Sequence, residues 1–211
     1  MTIFKLIIAL FVGYFFGSIN TAMLVGNIYG VDLRKKGSGN AGLTNTYRIL
    51  GGSAAALVLV GDILKAMLSC FIGFLLTRNE LGPEHFFDLN DANLGMMLAG
   101  TSCIIGHICP MFFQFKGGKG VLTSATVIFL MDYRIGAIAL CIFIVIVLLS
   151  KYVSLGSILA AICFPIVSII FKKPTHFMVY SIVIAILIVF MHRKNIGRLI
   201  NGTESKLRFK R

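Results

Sequence analysis

The segment at residues 30–52, GVDLRKKGSGNAGLTNTYRILGG, concentrates the residue types that bind anions. Successive glycines free the backbone to direct N–H groups at one point, and hydroxyl, amide and guanidinium side chains add further donors. We expect the binding groups to be Gly37, Ser38, Gly39, Asn40, Thr44, Asn45 and Arg48. A basic loop that only sets topology would explain Arg34, Lys35 and Lys36 equally well, but the compact GSGNAGLTN run favours a binding loop.

A second polar segment, GHICPMFFQFKGGKG at residues 106–120, ends directly before an apolar helix predicted to start near Val121. Glycine N–H groups, the positive end of the helix dipole and the Lys119 ammonium would coincide there, and a phosphate suits that combination. The motif is not a Walker A loop, because Gly120 stands where Ser or Thr is required. His107 fits two roles, a general base or a polar group that caps the helix end.

The third polar segment, HRKNIGRLINGTESK at residues 192–206, follows the last apolar stretch. Its cations could simply hold a helix end against anionic headgroups, at about 1 kcal/mol each. That explanation leaves out His192 and Asn195. On a continuing helix, Asn195 and Arg198 share a face because they are three residues apart.

Two charged residues, Asp62 and Lys65, lie inside an apolar stretch and would also share a helix face. Each charge costs about 2.5–3.5 kcal/mol in hydrocarbon by insertion scales, so such a pair is a functional candidate. A self-neutralising structural pair between helices is an equally good interpretation.

The composition excludes a soluble monomer, since 57% of the residues are hydrophobic and 13% are charged. The net charge of +12 points to anionic lipids or phosphorylated ligands rather than to nucleic acid, which would need a basic soluble face. The five cysteines lie in apolar stretches without metal-site spacing, so we expect buried thiols with no disulfide framework and no bound metal.

Apolar stretches long enough to cross a bilayer predict an all-α polytopic membrane protein. Residues 3–28, 53–77, 93–114, 153–171 and 176–191 are the single candidates, with the first retained rather than cleaved as a signal peptide. Residues 121–150 are expected to form two helices joined at Asp132, Tyr133 and Arg134, the first of them short. The total is seven transmembrane helices.

The distribution of Lys and Arg predicts the orientation, because short loops rich in them stay cytoplasmic. Fourteen of the 20 collect on one side, including Arg208, Lys210 and Arg211. Five lie on the other side, and Lys65 lies within a span; the five are Lys5, Arg78, Arg134, Lys172 and Lys173. The amino terminus is therefore expected outside and the carboxyl terminus in the cytoplasm. The loop after Arg78, which carries Glu80, Glu84, Asp88 and Asp91, fits the outer side.

Four motifs in this order resemble the bacterial acyl-phosphate:glycerol-3-phosphate acyltransferases: GSGNAGLTNTYR, DILK, GHICPMFFQFKGGKGVLTS and HRKNIGRL. The resemblance runs through nearly the whole chain and implies one integral-membrane domain over residues 1–211. Its implied activity moves an acyl chain from acyl phosphate to the sn-1 hydroxyl of glycerol 3-phosphate, giving lysophosphatidic acid and phosphate at the first step of phospholipid synthesis. The chain departs from the family pattern at Asn20, where Pro is usual, and at Ala66, where Gly is common.

The resemblance places the site at the cytoplasmic face of the bacterial inner membrane. We assign the acyl-phosphate group to Gly117, Gly118, Lys119 and Gly120, with Ser38 and Asn40 as further donors. Glycerol 3-phosphate is assigned to Arg48, Lys116, His192, Asn195 and Arg198, and Lys65 and Thr123 are expected in the binding site. Among these, Ser38, Arg48, Lys119, His192 and Asn195 are the expected catalytic residues, and a substrate phosphate takes the proton unless His107 is the base.

Acyl phosphate is already activated, so we expect no covalent nucleophile and no cofactor. The expected partners are the two substrates, membrane lipids and the enzyme that forms acyl phosphate. A transporter of a phosphorylated solute is the alternative, since it also needs cations facing anions, although transporters usually bind substrate near the midplane between internal repeats. A lipid-binding scaffold is a third possibility, but it leaves Asn40, Asn45 and Asn195 unexplained.

Overall fold

The computed structural model describes residues 1–81, 86, 88 and 92–207, and within them the regular structure is helical throughout. Ten α-helices occur in this part of the chain. They are α1 (Thr2–Ser18), α2 (Thr21–Ile28), α3 (Leu43–Leu50), α4 (Gly52–Thr77), α5 (Leu94–Ile108), α6 (Val121–Met131), α7 (Tyr133–Ser150), α8 (Val153–Ile170), α9 (Thr175–Met191) and α10 (Arg193–Ile200). They belong to two compact units, Met1–Met131 and Asp132–Arg211. A single domain over the whole chain stays a prediction.

Five stretches among the described residues are long and apolar enough to cross a membrane: Thr2–Ile28, Gly52–Thr77, Leu94–Phe113, Tyr133–Ser150 and Val153–Ile170. The pair α9 and α10, bent by 58°, makes a sixth if it counts as one span. Helix α6 is apolar but has only 11 residues. The predicted all-α polytopic membrane fold is confirmed, while the count of seven and the orientation of the termini stay predictions.

Two helix junctions were open to comparison with the sequence, one near residue 132 and one within residues 3–28. The predicted junction near residue 132 is confirmed, since α6 ends at Met131 and the Asp132 carboxylate caps α7 by accepting from the Arg134 N–H at 3.0 Å. The expected single helix over residues 3–28 is instead broken at Ile19 and Asn20. The Asn20 side chain accepts from the Met23 N–H at 3.0 Å and caps α2, so a capping amide starts this helix.

In the first unit, α1, α4 and α5 pack on one another, and α1 approaches the backbone of α5 closely. A Cβ added at Gly13 or Gly17 of α1 would collide with the carbonyl group of Ala99 or Cys103 of α5. Glycines four residues apart lie on one helix face and let two backbones approach closely, which is the usual device for packing helices in membranes. These contacts fix α1 against the helix that leads to the second polar segment.

The two ends of the first unit carry different residues. Lys5 at the start of α1 forms an ion pair with Glu80 just after α4, so two residues predicted on the outer side do lie together. The polar loops after α2 and α5 lie at the opposite helix ends. The predicted outer-loop residues Glu84 and Asp91, and the inner cations Arg208, Lys210 and Arg211, fall outside the described residues.

In the second unit, α8 packs between α7 and α9, and a buried carboxylate joins the start of α7 to the turn before α9. Asp132 Oδ2 lies 2.8 Å from Arg134 Nη2 and 2.8 Å from Lys173 Nζ. Burial opposes ionisation of Asp132, but the hydrogen bonds from Arg134 and Lys173 outweigh it and lower the pKa of this carboxyl. Arg134 and Lys173, both predicted outer, thus lie together.

The prediction that all five cysteines are buried is correct for only some of them. Cys70 and Cys103 are buried, Cys163 is half-buried, and the expectation of burial is wrong for Cys109 and Cys141, which are exposed. An apolar stretch in a membrane protein does not imply burial in the protein, because one side of a spanning helix faces lipid. The five thiols are free.

Candidate active site

The first polar loop is shaped around the side chain of Asn45, which is buried in the first turn of α3. Its Nδ2 donates to the carbonyl oxygens of Leu33 at 2.9 Å and Lys36 at 3.1 Å, and its Oδ1 accepts from the Ser38 N–H at 2.9 Å. One amide therefore holds three points of the loop. This gives Asn45 a role in shaping the loop; its expected contact with substrate stays a prediction.

The glycines of this loop are required by the backbone. Gly37 and Gly39 have φ values of 60° and 71°, in the left-handed region that favours glycine. A Cβ at Gly37 would also collide with Asn45 Oδ1. The loop consequently leaves Ser38 exposed and Asn40, Thr44 and Arg48 half-buried, where donors can face a ligand.

The glycine turn of the second segment is tied to the end of α5. The N–H groups of Gly117 and Gly118 donate to the carbonyl oxygens of Ile108 and His107, each at 3.0 Å. A Cβ at Gly118 would collide with His107 Nε2 and would lie 2.7 Å from Ala41 O of the first loop. Two polar segments, represented by Ala41 and Gly118, which are 77 positions apart in the sequence, therefore meet at Gly118.

The turn leads directly into α6 and supplies the first carbonyl acceptor of that helix. Gly120 has a φ of 78° and accepts through its carbonyl from both the N–H and the hydroxyl of Ser124. Lys119 is half-buried beside the turn and Lys116 is exposed. Thr123 is fully buried in the first turn of α6, and its Oγ1 has no hydrogen-bond partner among the described residues. A glycine turn, a half-buried lysine and a helix start thus coincide, as an anion site requires.

The charged pair inside the spans is confirmed, and it includes a third member. Lys65 Nζ lies 2.8 Å from Asp62 Oδ1 and 2.9 Å from His107 Nδ1, and all three side chains are buried. The suggestion that His107 only caps a helix end is wrong, because its ring binds the ammonium group of Lys65 instead of a terminal backbone group. The expected substrate contacts of Lys65 and His107 stay predictions.

The third polar segment belongs to the second unit and is organised by an acidic residue. Asn195 Nδ2 donates to Glu204 Oε1 at 2.7 Å and Arg198 Nε to Glu204 Oε2 at 2.6 Å, which confirms that Asn195 and Arg198 share a face. His192, at the bend between α9 and α10, is 2% exposed, with Nδ1 2.8 Å from the Ile188 carbonyl oxygen.

Glu204 is a site residue that sequence reasoning missed. Burial opposes its ionisation, but hydrogen bonds from Asn195, Ser154 and Arg198 outweigh burial and lower the pKa of this carboxyl. The tail beyond it returns to the turn before α8, where the Leu207 N–H donates to the Lys151 carbonyl oxygen at 2.7 Å. The signal in the sequence that could have identified Glu204 is that it is an acidic residue in a strongly basic segment.

No group of three or more His, Cys, Asp or Glu side chains among the described residues is arranged to hold a metal ion. The cations and glycine turns described above are the candidate groups for binding phosphate. They form two sets, one in each unit: the first loop with the Gly117–Gly120 turn, and the face of α10 with Glu204.

These features define a class: a multi-pass integral membrane protein with glycine turns and cations at the ends of its helices. The family model described as "Glycerol-3-phosphate acyltransferase" matches residues 7–202. The chain belongs to this family of membrane acyltransferases, and the resemblance drawn from its four motifs is confirmed.

Relatives and solved structures agree with this assignment. The glycerol-3-phosphate acyltransferase of Thermoanaerobacter pseudethanolicus is 41% identical over 197 residues, covering 93% of this chain and 92% of the relative. That of Syntrophomonas wolfei is 42% identical over 176 residues, covering 83% of each chain. The crystal structure of PlsY (YgiH) in its glycerol 3-phosphate form superposes with a TM-score of 0.83 at 33% identity, covering 98% of this chain and 96% of that chain.

Proposed function

We propose that this acyltransferase takes its acyl chain from an acyl phosphate and transfers it to the sn-1 hydroxyl of glycerol 3-phosphate. The hydroxyl oxygen forms a bond to the acyl carbonyl carbon, the bond from that carbon to the phosphate oxygen breaks, and inorganic phosphate leaves. Lysophosphatidic acid is the second product. A structure of PlsY (YgiH) described as the lysophosphatidic acid form, 32% identical with a TM-score of 0.82, supports this product.

The observation that carries the proposal is the meeting of the first loop and the glycine turn at Gly118, next to the start of α6. Donor and acceptor each bear a phosphate and repel one another in water, so the site has to neutralise both. Orienting the two reactants contributes about 7–11 kcal/mol of barrier lowering, and donors at the developing oxyanion about 3–4 kcal/mol more. Those contributions suffice for a mixed anhydride, whose leaving group departs without a covalent enzyme intermediate.

We assign the acyl-phosphate group to the Gly117–Gly120 turn with Ser38 and Asn40, and glycerol 3-phosphate to Arg48 and Lys116 with the polar face of α10. On that face we assign His192, Asn195 and Arg198. The proton of the attacking hydroxyl goes to a substrate phosphate, because His107 Nδ1 lies 2.9 Å from the Lys65 ammonium group, which can only donate and so occupies that nitrogen. The site faces the cytoplasm of the bacterial inner membrane, where soluble glycerol 3-phosphate and the enzyme that forms acyl phosphate both have access.

The first test is Lys119→Ala in purified protein assayed with palmitoyl phosphate and glycerol 3-phosphate. Loss of the ammonium beside the turn should lower kcat/KM for palmitoyl phosphate by about 100-fold, as removal of one preorganised donor does. Gly52→Ala is the control, since a Cβ there meets nothing within 4 Å. Turnover of Lys119→Ala near that of the control would refute the phosphate site.

The second test separates the two substrate assignments. Arg48→Ala should raise KM for glycerol 3-phosphate by roughly 10-fold, the loss expected for one charge-assisted contact, with little change for palmitoyl phosphate. The reverse pattern would exchange the assignments. Phosphate release that depends on glycerol 3-phosphate also distinguishes acyl transfer from transport of a phosphorylated solute and from passive lipid binding.

A further inference from the structure

The buried cluster of Asp62, Lys65 and His107 lies behind the glycine turn, inside the first unit. The three residues are 1%, 4% and 4% exposed, and Lys65 Nζ lies 2.8 Å from Asp62 Oδ1 and 2.9 Å from His107 Nδ1. Ionisable groups at membrane depth are costly to bury and are therefore kept where they serve a purpose. Asp62 and Lys65 alone would neutralise each other's charge. The role of the cluster is therefore inferred from its further contacts, those of Lys65 with α1 and those of His107 with Gly118.

Lys65 connects α4 to the break between α1 and α2. Its Nζ donates to the carbonyl oxygens of Gly17 at 3.3 Å and Ile19 at 3.1 Å. These carbonyls end α1, where the helix has no further N–H groups to pair with them and the dipole is negative. The ammonium group therefore stabilises the break and is itself held in one position.

His107 connects Lys65 to the glycine turn. Its Nδ1 lies 2.9 Å from the Lys65 ammonium group and 3.7 Å from Asp62 Oδ1. Because an ammonium group can only donate, we take Nδ1 as the acceptor, and the proton of the neutral ring then lies on Nε2. The Nε2 edge lies against Gly118, where an added Cβ would collide with it, and the His107 carbonyl oxygen accepts from the Gly118 N–H at 3.0 Å. Ring and backbone of one residue thus set the position of Gly118.

We propose that Lys65, neutralised by Asp62, locks the His107 ring so that its Nε2 edge positions Gly118 and the phosphate-binding turn that follows. Lys65 and His107 are on this view positioning residues, acting through the turn and not through contact with substrate. The inference rests on the proposed function, because it takes the turn to hold the phosphate of acyl phosphate. It further implies that His107 is not the general base.

The pair His107→Asn and His107→Gln tests the ring. An Asn oxygen can replace Nδ1 and keep the bond to Lys65, but the side chain is too short to reach Gly118; Gln extends to the position of Nε2. We expect His107→Asn to raise KM for palmitoyl phosphate by about 10-fold with kcat within about threefold, and His107→Gln to restore most of that loss. Equal KM values in the two variants would overturn the proposal, as would a loss of kcat alone.

A matched control separates positioning from general damage. Thr77→Val removes buried hydrogen bonds to Gly73 O at 3.0 Å and Asn93 Oδ1 at 2.6 Å near the far end of α4, roughly 18 Å along the helix from Lys65. Its KM for palmitoyl phosphate should stay at the wild-type value. An equal rise in KM in Thr77→Val would show that any weakened packing mimics the effect, and would overturn the proposal.

A measurement independent of turnover completes the test. In the double variant Asp62→Asn, Lys65→Met, which leaves no unpaired buried charge, hydrogen exchange of the amides at residues 117–120 should be at least about 10-fold faster, while that at residues 96–103 is unchanged. Unchanged hydrogen exchange in the turn would overturn the positioning proposal, whatever the substrate of the enzyme. Failure of the wild-type protein to use palmitoyl phosphate would refute the proposed function, but it would not bear on the exchange result.

Discussion

Replacing Gly118 with alanine is the sharpest perturbation of the site, because the new methyl group would meet two segments at once. It would collide with His107 Nε2 on one side and lie 2.7 Å from Ala41 O on the other. Ordinary van der Waals contact begins at 3.4 Å, so the turn and the first loop must separate by roughly 0.7 Å. Misplacement of reacting groups by about 1 Å costs about 100-fold in rate, or about 3 kcal/mol of transition-state stabilisation.

We therefore expect Gly118→Ala to lower kcat/KM for palmitoyl phosphate by about 30- to 100-fold, with a melting temperature in detergent within a few degrees of wild type. The assay is phosphate release by purified protein at saturating glycerol 3-phosphate. Gly52→Ala serves as the matched control, since it adds the same methyl group in open space on a helix. Wild-type kinetics for Gly118→Ala would show that the turn does not hold a reacting group and would refute the reasoning.

Two further predictions concern stability. Gly13→Ala should lower the free energy of unfolding by about 1–3 kcal/mol, because its methyl group collides with the backbone of Ala99; a melting temperature equal to that of Gly52→Ala would contradict this. The lowered pKa of Glu204 means that its carboxylate stabilises the fold above pH 4.5, its ordinary value, and that this contribution is lost as the pH falls through the lowered pKa. Glu204→Gln should therefore melt a few degrees lower at neutral pH and show a weaker decline between pH 4.5 and 3 than wild type; parallel profiles would count against this role.

The sequence predicts those parts of the structure that depend on local pattern. Apolar length predicts the spans, and the interruption at Asp132 predicts the junction between α6 and α7 because an aspartate before a helix is a capping signal. Helical spacing predicts that Asp62 meets Lys65 and that Asn195 and Arg198 share a face. Each of these contacts joins residues only a few positions apart, so helix geometry alone determines that their side chains meet.

The remaining features depend on contacts between distant residues, which spacing does not encode. His107 lies 42 residues from Lys65, and nothing in the helical period indicates that their side chains meet. The break before Asn20 had a local signal, an amide followed by Thr21, but the surrounding apolar run concealed it. The contacts of Glu204 depend on a tail that returns to the Asn195 face, and only the fold determines that return.

The close approach of α1 and α5 also limits where the donor's fatty tail can lie. Carbon atoms of neighbouring molecules keep about 3.5–4 Å apart, whereas at Gly13 and Gly17 even one extra methyl group would overlap the facing backbone. A hydrocarbon tail cannot thread between these two helices. The preference for shorter or longer fatty acids is therefore set outside this close contact between α1 and α5.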